Sequence, residues 1–304
     1  MNSVVTASAT AILRRRVLPL ATLAALLSIS SLAQASQDAA GAAALHAKFA
    51  ELGGQLANNQ FKRPVVMNSN ETGNILKGDI YALVDHPINQ VSGALSGPAH
   101  WCDVLMLHLN TKYCHVSSGA DGSMLDVRIG KKFDQPIDDA HRVDFAFHPG
   151  LSNADYFDTR LDAKKGPMGT SDYRILLEAV AVPGKKTFLH LTYSYAYGFA
   201  SKVAMKAYLA TVASDKVGFS KIADGQADFI GGMRGVVERN TMRYYLAIDA
   251  YLDALAAPSS EQIEKRLIAW FNATEQYPRQ LHEMDRNAYL EMKRAEIQRQ
   301  SAPE

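Results

Sequence analysis

Hydrophobic and polar positions alternate two by two through the middle of the chain and follow a helical period on either side of it. In "FLHLTYSYAYGF", residues 188–199, Leu189, Leu191, Tyr193, Tyr195, Tyr197 and Phe199 fall on one side of an extended chain. His190, Thr192 and Ser194 fall on the other. The same alternation sets Leu125, Val127, Ile129 and Phe133 against Asp126 and Arg128, and Val143, Phe145 and Phe147 against Arg142 and Asp144. In "DYRILLEAVAV" it sets Tyr173, Ile175, Leu177 and Ala179 against Arg174 and Glu178. Turn signals at Ala120-Asp121-Gly122, Asp138-Asp139, Gly150, Lys165-Gly166-Pro167 and Pro183-Gly184 cut this region into an antiparallel meander. A sheet so patterned is covered on its apolar face. Its charged positions read as solvent-side ladder pairs.

Ahead of the meander, "RPVVMNSNETGNILKGDIYALVDH" predicts a hairpin turning through Glu71-Thr72-Gly73-Asn74, with Ile80, Ala82 and Val84 alternating with Tyr81, Leu83 and Asp85. Pro87 and Pro98 each suit a first helical position, so two short helices follow, the second aligning Trp101, Leu105, His108 and Leu109. "AAGAAALHAKFAELGGQLANN" predicts an amphipathic packing arm with Leu45, Phe49 and Leu52 on one stripe, stopped by Gly53-Gly54. Beyond the meander, "SKVAMKAYLATVASDKVGF" is helical at first and irregular later. "GVVERNTMRYYLAIDAYLDAL" is the strongest helix: Val237, Tyr244, Ile248, Tyr251, Leu252 and Leu255 recur at helical spacing, with Arg239, Arg243, Asp249 and Asp253 on other faces. Pro258 ends it, serines cap the next, and a last, highly charged helix carries Leu281, Met284, Ala288 and Met292 along a stripe. That last helix reads as solvated and packed by one edge, or else as partner-binding.

The first residues change the picture. Arg14, Arg15 and Arg16 precede an apolar run ending at Ala33-Gln34-Ala35, the pattern of a secretory signal peptide cleaved after Ala35. The run is short for a membrane span of about 20 residues. Export to the periplasm is the expectation. Removing residues 1–35 takes 32 basic against 31 acidic residues to 29 against 31, a net charge of −2. Such a balance gives no field for a nucleic acid. The remaining 269 of 304 residues suffice for one large domain, and their sequence does not determine an oligomeric state.

Cys102 and Cys114 are the only cysteines, and in an oxidising compartment two cysteines normally pair. Closing so short a loop is worth about 2.5 to 3 kcal/mol in the chain-entropy account. Two buried free thiols and a nucleophilic Cys102 are the alternatives.

The order of elements resembles the helix-grip fold of START-related lipid-binding domains and their polyketide cyclase-like relatives. The residues that carry it are "GDIYALVDHPINQVSGAL", "TFLHLTYSYAYGF" and "RNTMRYYLAIDAYLDAL", within about Arg63 to Leu255. The resemblance implies an α+β protein in which a curved antiparallel sheet grips the long helix around an apolar tunnel. It places residues 61–257 in that domain, residues 36–60 in a helical arm and 258–304 in a helical extension. It would line the tunnel with Phe145, Phe147, Tyr173, Ile175, Leu189, Leu191, Tyr193, Tyr195 and Tyr197 from the sheet, and Tyr244, Ile248 and Tyr251 from the helix. The helices beyond Leu255 and before the domain depart from that pattern.

Histidines at 100, 108 and 115 with Asp103 match no helical zinc spacing, so no metal and no cofactor is expected. "SGALSG" is not the Gly-x-Ser-x-Gly elbow of a hydrolase. Tyrosines facing a cavity can bind an apolar ligand, fill a core or orient a proton transfer. Binding needs only shape and lining, since each buried methylene contributes about 0.8 kcal/mol. The expected function is carriage of a hydrophobic molecule, foremost a lipid, with allowance for transient membrane contact and no assigned catalytic residue. An enzyme acting on an apolar substrate and an envelope interaction module with a closed core are the competing readings.

Overall fold

In the computed structural model, which describes residues 40–119, 122–199, 201–203, 215–222 and 228–301, eight strands form a single antiparallel sheet. The expected signal peptide and its cleavage point lie outside those residues, as do Ala120, Asp121 and most of "SKVAMKAYLATVASDKVGF". The chain divides into two units, Met1–Gly41 and Ala42–Glu304, and the second carries the sheet. The strands are β1 (Val65–Thr72), β2 (Ile75–Val84), β3 (Thr111–Gly119), β4 (Gly122–Ile129), β5 (His141–Ser152), β6 (Tyr156–Lys165), β7 (Thr170–Val182) and β8 (Lys186–Tyr197). Their order is β1-β2-β8-β7-β6-β5-β4-β3, a six-stranded meander closed onto the first hairpin. Gly73, at φ 63°, supplies the left-handed residue that lets Thr72 pair with Ile75 across the hairpin turn.

The helices packed with the sheet include α1 over residues 40–57, α2 (Ile88–Leu95), α3 (Pro98–Leu105), α4 (Gly232–Ala254), α5 (Ser259–Thr274), α6 (Pro278–Leu281) and α7 (Arg286–Ser301). α4 lies on β1, β2 and β8, and α5 packs on its far side. The curved sheet thus grips α4, the helix-grip arrangement of an α+β protein. None of the described helices is long and apolar enough to cross a membrane.

α4 is seated closely on β2 because Gly78 has no side chain. A Cβ there would sit 2.3 Å from Thr241 Oγ1. The helix is also buried nearly all round, and Arg239 and Arg243, expected on outer faces, are covered as well. α3 is held against the sheet by the Cys102–Cys114 disulfide, whose Cα atoms are 5.3 Å apart. Trp101, wholly buried on α3, donates its indole N–H to Leu95 O at 2.9 Å.

Several expectations are corrected here. α1 continues through Gly53-Gly54 to residue 57, because burying Leu45, Leu52 and Leu56 outweighs the roughly 1 kcal/mol each glycine costs a helix. The stripe lies across the other face of the sheet, with Phe49 5.1 Å from Phe188 and Val66, Tyr156 and Val180 beneath it. That face is therefore partly covered. Phe133 and Phe199, placed with the apolar faces, are 59% and 84% exposed, since β4 ends at Ile129 and β8 at Tyr197. Gly150 lies inside β5, where a Cβ would strike the Asp158 carboxyl group at 2.1 Å. The turn comes at Asn153 instead, its side chain accepting from the N–H groups of Asp155 and Tyr156. Pro87 is the residue before α2, whereas Pro98 does begin α3, and α3 stops before His108 and Leu109. Pro258 precedes α5 with no side-chain cap from the serines.

The last charged segment is the largest correction. It breaks into α6 and α7, and the stripe that is buried on α7 comprises Tyr289, Leu290, Met292, Lys293 and Glu296, with Ala288 exposed. Lys293 and Lys112 of β3 share Glu296 at 2.5 and 2.9 Å, all three with side chains wholly shielded from solvent. Cys114 N–H of β3 donates to Gln300 Oε1 of α7 at 3.0 Å.

Away from α1, the outer face carries cross-strand pairs of the kind its pattern predicts, Arg174–Asp162 directly opposite at 3.0 Å and Arg142–Asp126 diagonally at 3.4 Å. Nearer α1, His190 is clamped between Asp79 (2.9 Å) and Glu178 (3.0 Å) beneath the stacked ring of Tyr81. Burial alone would lower the imidazole's pKa, but the hydrogen bonds to Asp79 and Glu178 outweigh it and raise it above 6.5. Both carboxyls are pulled the other way: burial would raise them, and their hydrogen bonds hold them below the usual range. The contribution of His190 is complete below about pH 6.5 and is lost as pH rises through its folded-state value. That of Asp79 and Glu178 is lost as pH falls through theirs. In urea unfolding at pH 6, 7 and 8, His190→Asn should flatten the alkaline decline in stability. An unchanged slope would show that the clamp does not titrate in this window.

Candidate functional site

Close seating of α4 on β2 leaves a gap where the sheet continues through β7, β5 and β4. There a chamber of about 250 Å³ opens between sheet and helix. Its walls are Ile129, Val143 and Phe145 from β4 and β5, Tyr173 and Tyr193 from β7 and β8, Asn240 and Tyr244 from α4, and Pro167 from the β6–β7 turn. His108 and Asn110, in the segment joining α3 to β3, complete the lining.

A run of rings passes along this wall. Tyr195 stacks on Tyr173 at 5.2 Å, Tyr193 lies 6.2 Å from Tyr173 and 5.1 Å from Tyr244, and Tyr244 lies 5.3 Å from His108. Phe145 meets Tyr173 edge-on at 6.4 Å. Period-two alternation places Tyr193 and Tyr195 on the same face, and the register setting Ile175 opposite Tyr193 brings Tyr173 beside them. Burial raises the pKa of Tyr193, Tyr195, Tyr244 and Tyr173, so all four phenols stay protonated at neutral pH. The Tyr173 hydroxyl shares a hydrogen bond with Thr170 Oγ1 at 2.8 Å.

Of the twelve expected lining residues, Phe145, Tyr173, Tyr193 and Tyr244 meet at the chamber. Tyr195 stands one ring behind. Phe147, Ile175, Leu189, Leu191 and Ile248 are packed core side chains. Tyr197 lies at the far end of β8, hydrogen-bonded to Glu71, which pushes its phenol up to about 12. Tyr251 is turned toward His100 and Arg266, the guanidinium 4.2 Å from its ring centre.

Sequence reasoning missed His108, Asn110, Ile129, Val143, Pro167 and Asn240 as chamber residues. Ile129 and Val143 were legible as inward-facing. His108 and Asn110 belong to a non-repeating segment, and only the fold brings them to the wall. His108 is buried, and its Nδ1 accepts from the Asn110 N–H at 3.2 Å. The neutral ring therefore carries its proton on Nε2, which has no partner among the described residues. Burial, followed by the charges of Arg243, Lys293, Lys132 and Lys112, holds its pKa well below 6.5. Among the described residues no cluster of three or more His, Cys, Asp or Glu could hold a metal ion.

No family description matches the sequence, and no curated protein does. Among solved structures the chain is similar to Ara h 8.0201, at 11% identity over 60% of this chain and 99% of that one, with a TM-score of 0.36. It is similar to norcoclaurine synthase from Thalictrum flavum at 11% identity, over 49% of this chain and 82% of that one, TM-score 0.32. An aromatase/cyclase from a Streptomyces species gives 10% identity over 67% and 95%, TM-score 0.32.

Proposed function

We propose that this protein is exported to the periplasm and binds a hydrophobic small molecule in the chamber between the sheet and α4. The supporting observation is the chamber itself: about 250 Å³ of space walled by Ile129, Val143, Phe145 and buried phenols. A closed-core interaction module would have no such space. An apolar cavity of about 150 Å³ holds one benzene ring, so this one suits a compact ring system or the end of a lipid chain rather than an entire lipid. Binding is favoured over proton-transfer catalysis by the raised phenols and by His108, whose Nδ1 lone pair is already engaged. Export is supported by the arginine-led apolar start, the Ala33-Gln34-Ala35 ending and the disulfide.

Protein recovered from the periplasm of its own host should begin at Ser36 and, on denaturing extraction, release an apolar compound approaching one per chain. Val143→Trp fills the chamber from β5 and should lower that occupancy about tenfold, in line with overpacking costs of about 1–3 kcal/mol. Equal yields from both proteins would sink the chamber as the binding site. A chain retaining residues 1–35 would sink export.

A further inference from the structure

The His108 end of the chamber is bordered by a wholly buried positive charge: the Lys293 ammonium donates to His108 O at 3.3 Å. Lys112 and Lys293 share the one carboxylate of Glu296. Arg243, Lys132 and Lys216 share the one carboxylate of Glu283, at 2.7, 2.6 and 3.9 Å. Among the described residues the wholly buried cluster holds two cations, Lys112 and Lys293, against the one carboxylate of Glu296, while Lys132 and Lys216 are partly exposed. The leading charges acting on His108 are Arg243, Lys293, Lys132 and Lys112, all of one sign. Arg243, paired with Glu283, also lies one residue from Tyr244 and reaches Asn240 Oδ1 at 3.5 Å, so a second cationic group borders two lining residues of α4.

Charge of one sign held out of water is costly unless a counter-charge enters, and in a poorly solvated site that attraction is weakly screened. His108 adds a directional element. Its Nε2–H is a buried donor without an acceptor among the described residues, on a ring whose tautomer is set by the Asn110 N–H. A neutral apolar ligand would satisfy neither the donor nor the charge excess. An anionic oxygen would satisfy both.

Building on the chamber reading above, we infer that the occupant is a compact hydrophobic acid. Its anionic oxygen accepts from His108 Nε2–H near Tyr244 and Asn240, while its apolar body lies among Val143, Phe145 and Tyr173.

Matched pairs test this by isothermal titration calorimetry of the mature protein at pH 7.5: 2-naphthoic acid against 2-naphthamide, and octanoate against octanamide. The acid should bind at least about tenfold more tightly in one or both series, as expected of a charge-assisted hydrogen bond. His108→Phe keeps a ring and removes the donor, and Lys132→Met removes a partly exposed cation without touching the core. Each should cut the preference to within about threefold; His108→Phe should weaken acid and amide together, the acid more, because the amide carbonyl also loses its donor. Amides binding as well as acids would overturn the acid assignment and leave the chamber standing. If no member of either series binds the wild type, the chamber reading falls, and this inference with it. An acid preference unchanged in both variants would overturn the role of the His108 end.

Discussion

Replacing Glu296 with alanine is expected to destabilise the protein by about 3–5 kcal/mol, the cost of leaving buried charge without its partner. Among the described residues Glu296 is the sole carboxylate paired with Lys112 and Lys293, whose ammonium groups also donate to Leu109 O at 3.0 Å and Thr111 O at 2.6 Å. Burial has already lowered Lys293 to about 8, even with Glu296 beside it. Urea unfolding at pH 7 would measure the loss. The companion variant Lys112→Met, Glu296→Leu, Lys293→Met removes all the charges while retaining bulk, and should be near neutral or more stable. A loss under about 1 kcal/mol for Glu296→Ala would mean water reaches the triad readily.

Gly78→Val is expected to cost about 2–3 kcal/mol, although valine is the better strand residue. The two effects oppose one another, and distance decides between them. With Cβ only 2.3 Å from Thr241 Oγ1 and 3.2 Å from Thr241 Cβ, a side chain at position 78 cannot coexist with α4 where it now lies. Thr241 cannot turn away cheaply, since its hydroxyl donates to Val237 O at 2.7 Å and both residues are wholly buried. Gly78→Val with Thr241→Ala should recover part of the loss, as the pair then behaves non-additively. Equal losses with and without the second change would place the strain elsewhere.

Much of the fold was legible because it is periodic. Leu125, Val127, Val143, Phe145, Ile175, Leu177, Leu189 and Leu191 all face inward as their alternation predicts. Failures came where one residue answered to a neighbour distant in sequence. Glu296 and Lys293 read as a solvated face, because a charge on a helix is solvated by default and only Lys112, some 180 residues away, makes their burial tolerable. The tyrosine wall was visible as a stripe. The polar end of the chamber was not: Asn110 and Asn240 lie on no predicted stripe, and His108, aligned with Trp101 by its spacing, falls beyond the end of α3 in the segment leading to β3. Strand ends were misplaced at Phe133 and Phe199 because alternation does not announce where hydrogen bonding stops.

The place of α7 along β3 has a consequence for solubility. β3 is a terminal strand of an open sheet, and such a margin recruits foreign strands through its vacant backbone groups. Gln300 satisfies one of those groups at Cys114, and Tyr289, Met292 and Lys293 pack α7 alongside. A chain truncated before Arg286 would lose that shield and self-associate while the rest of its sheet stayed intact.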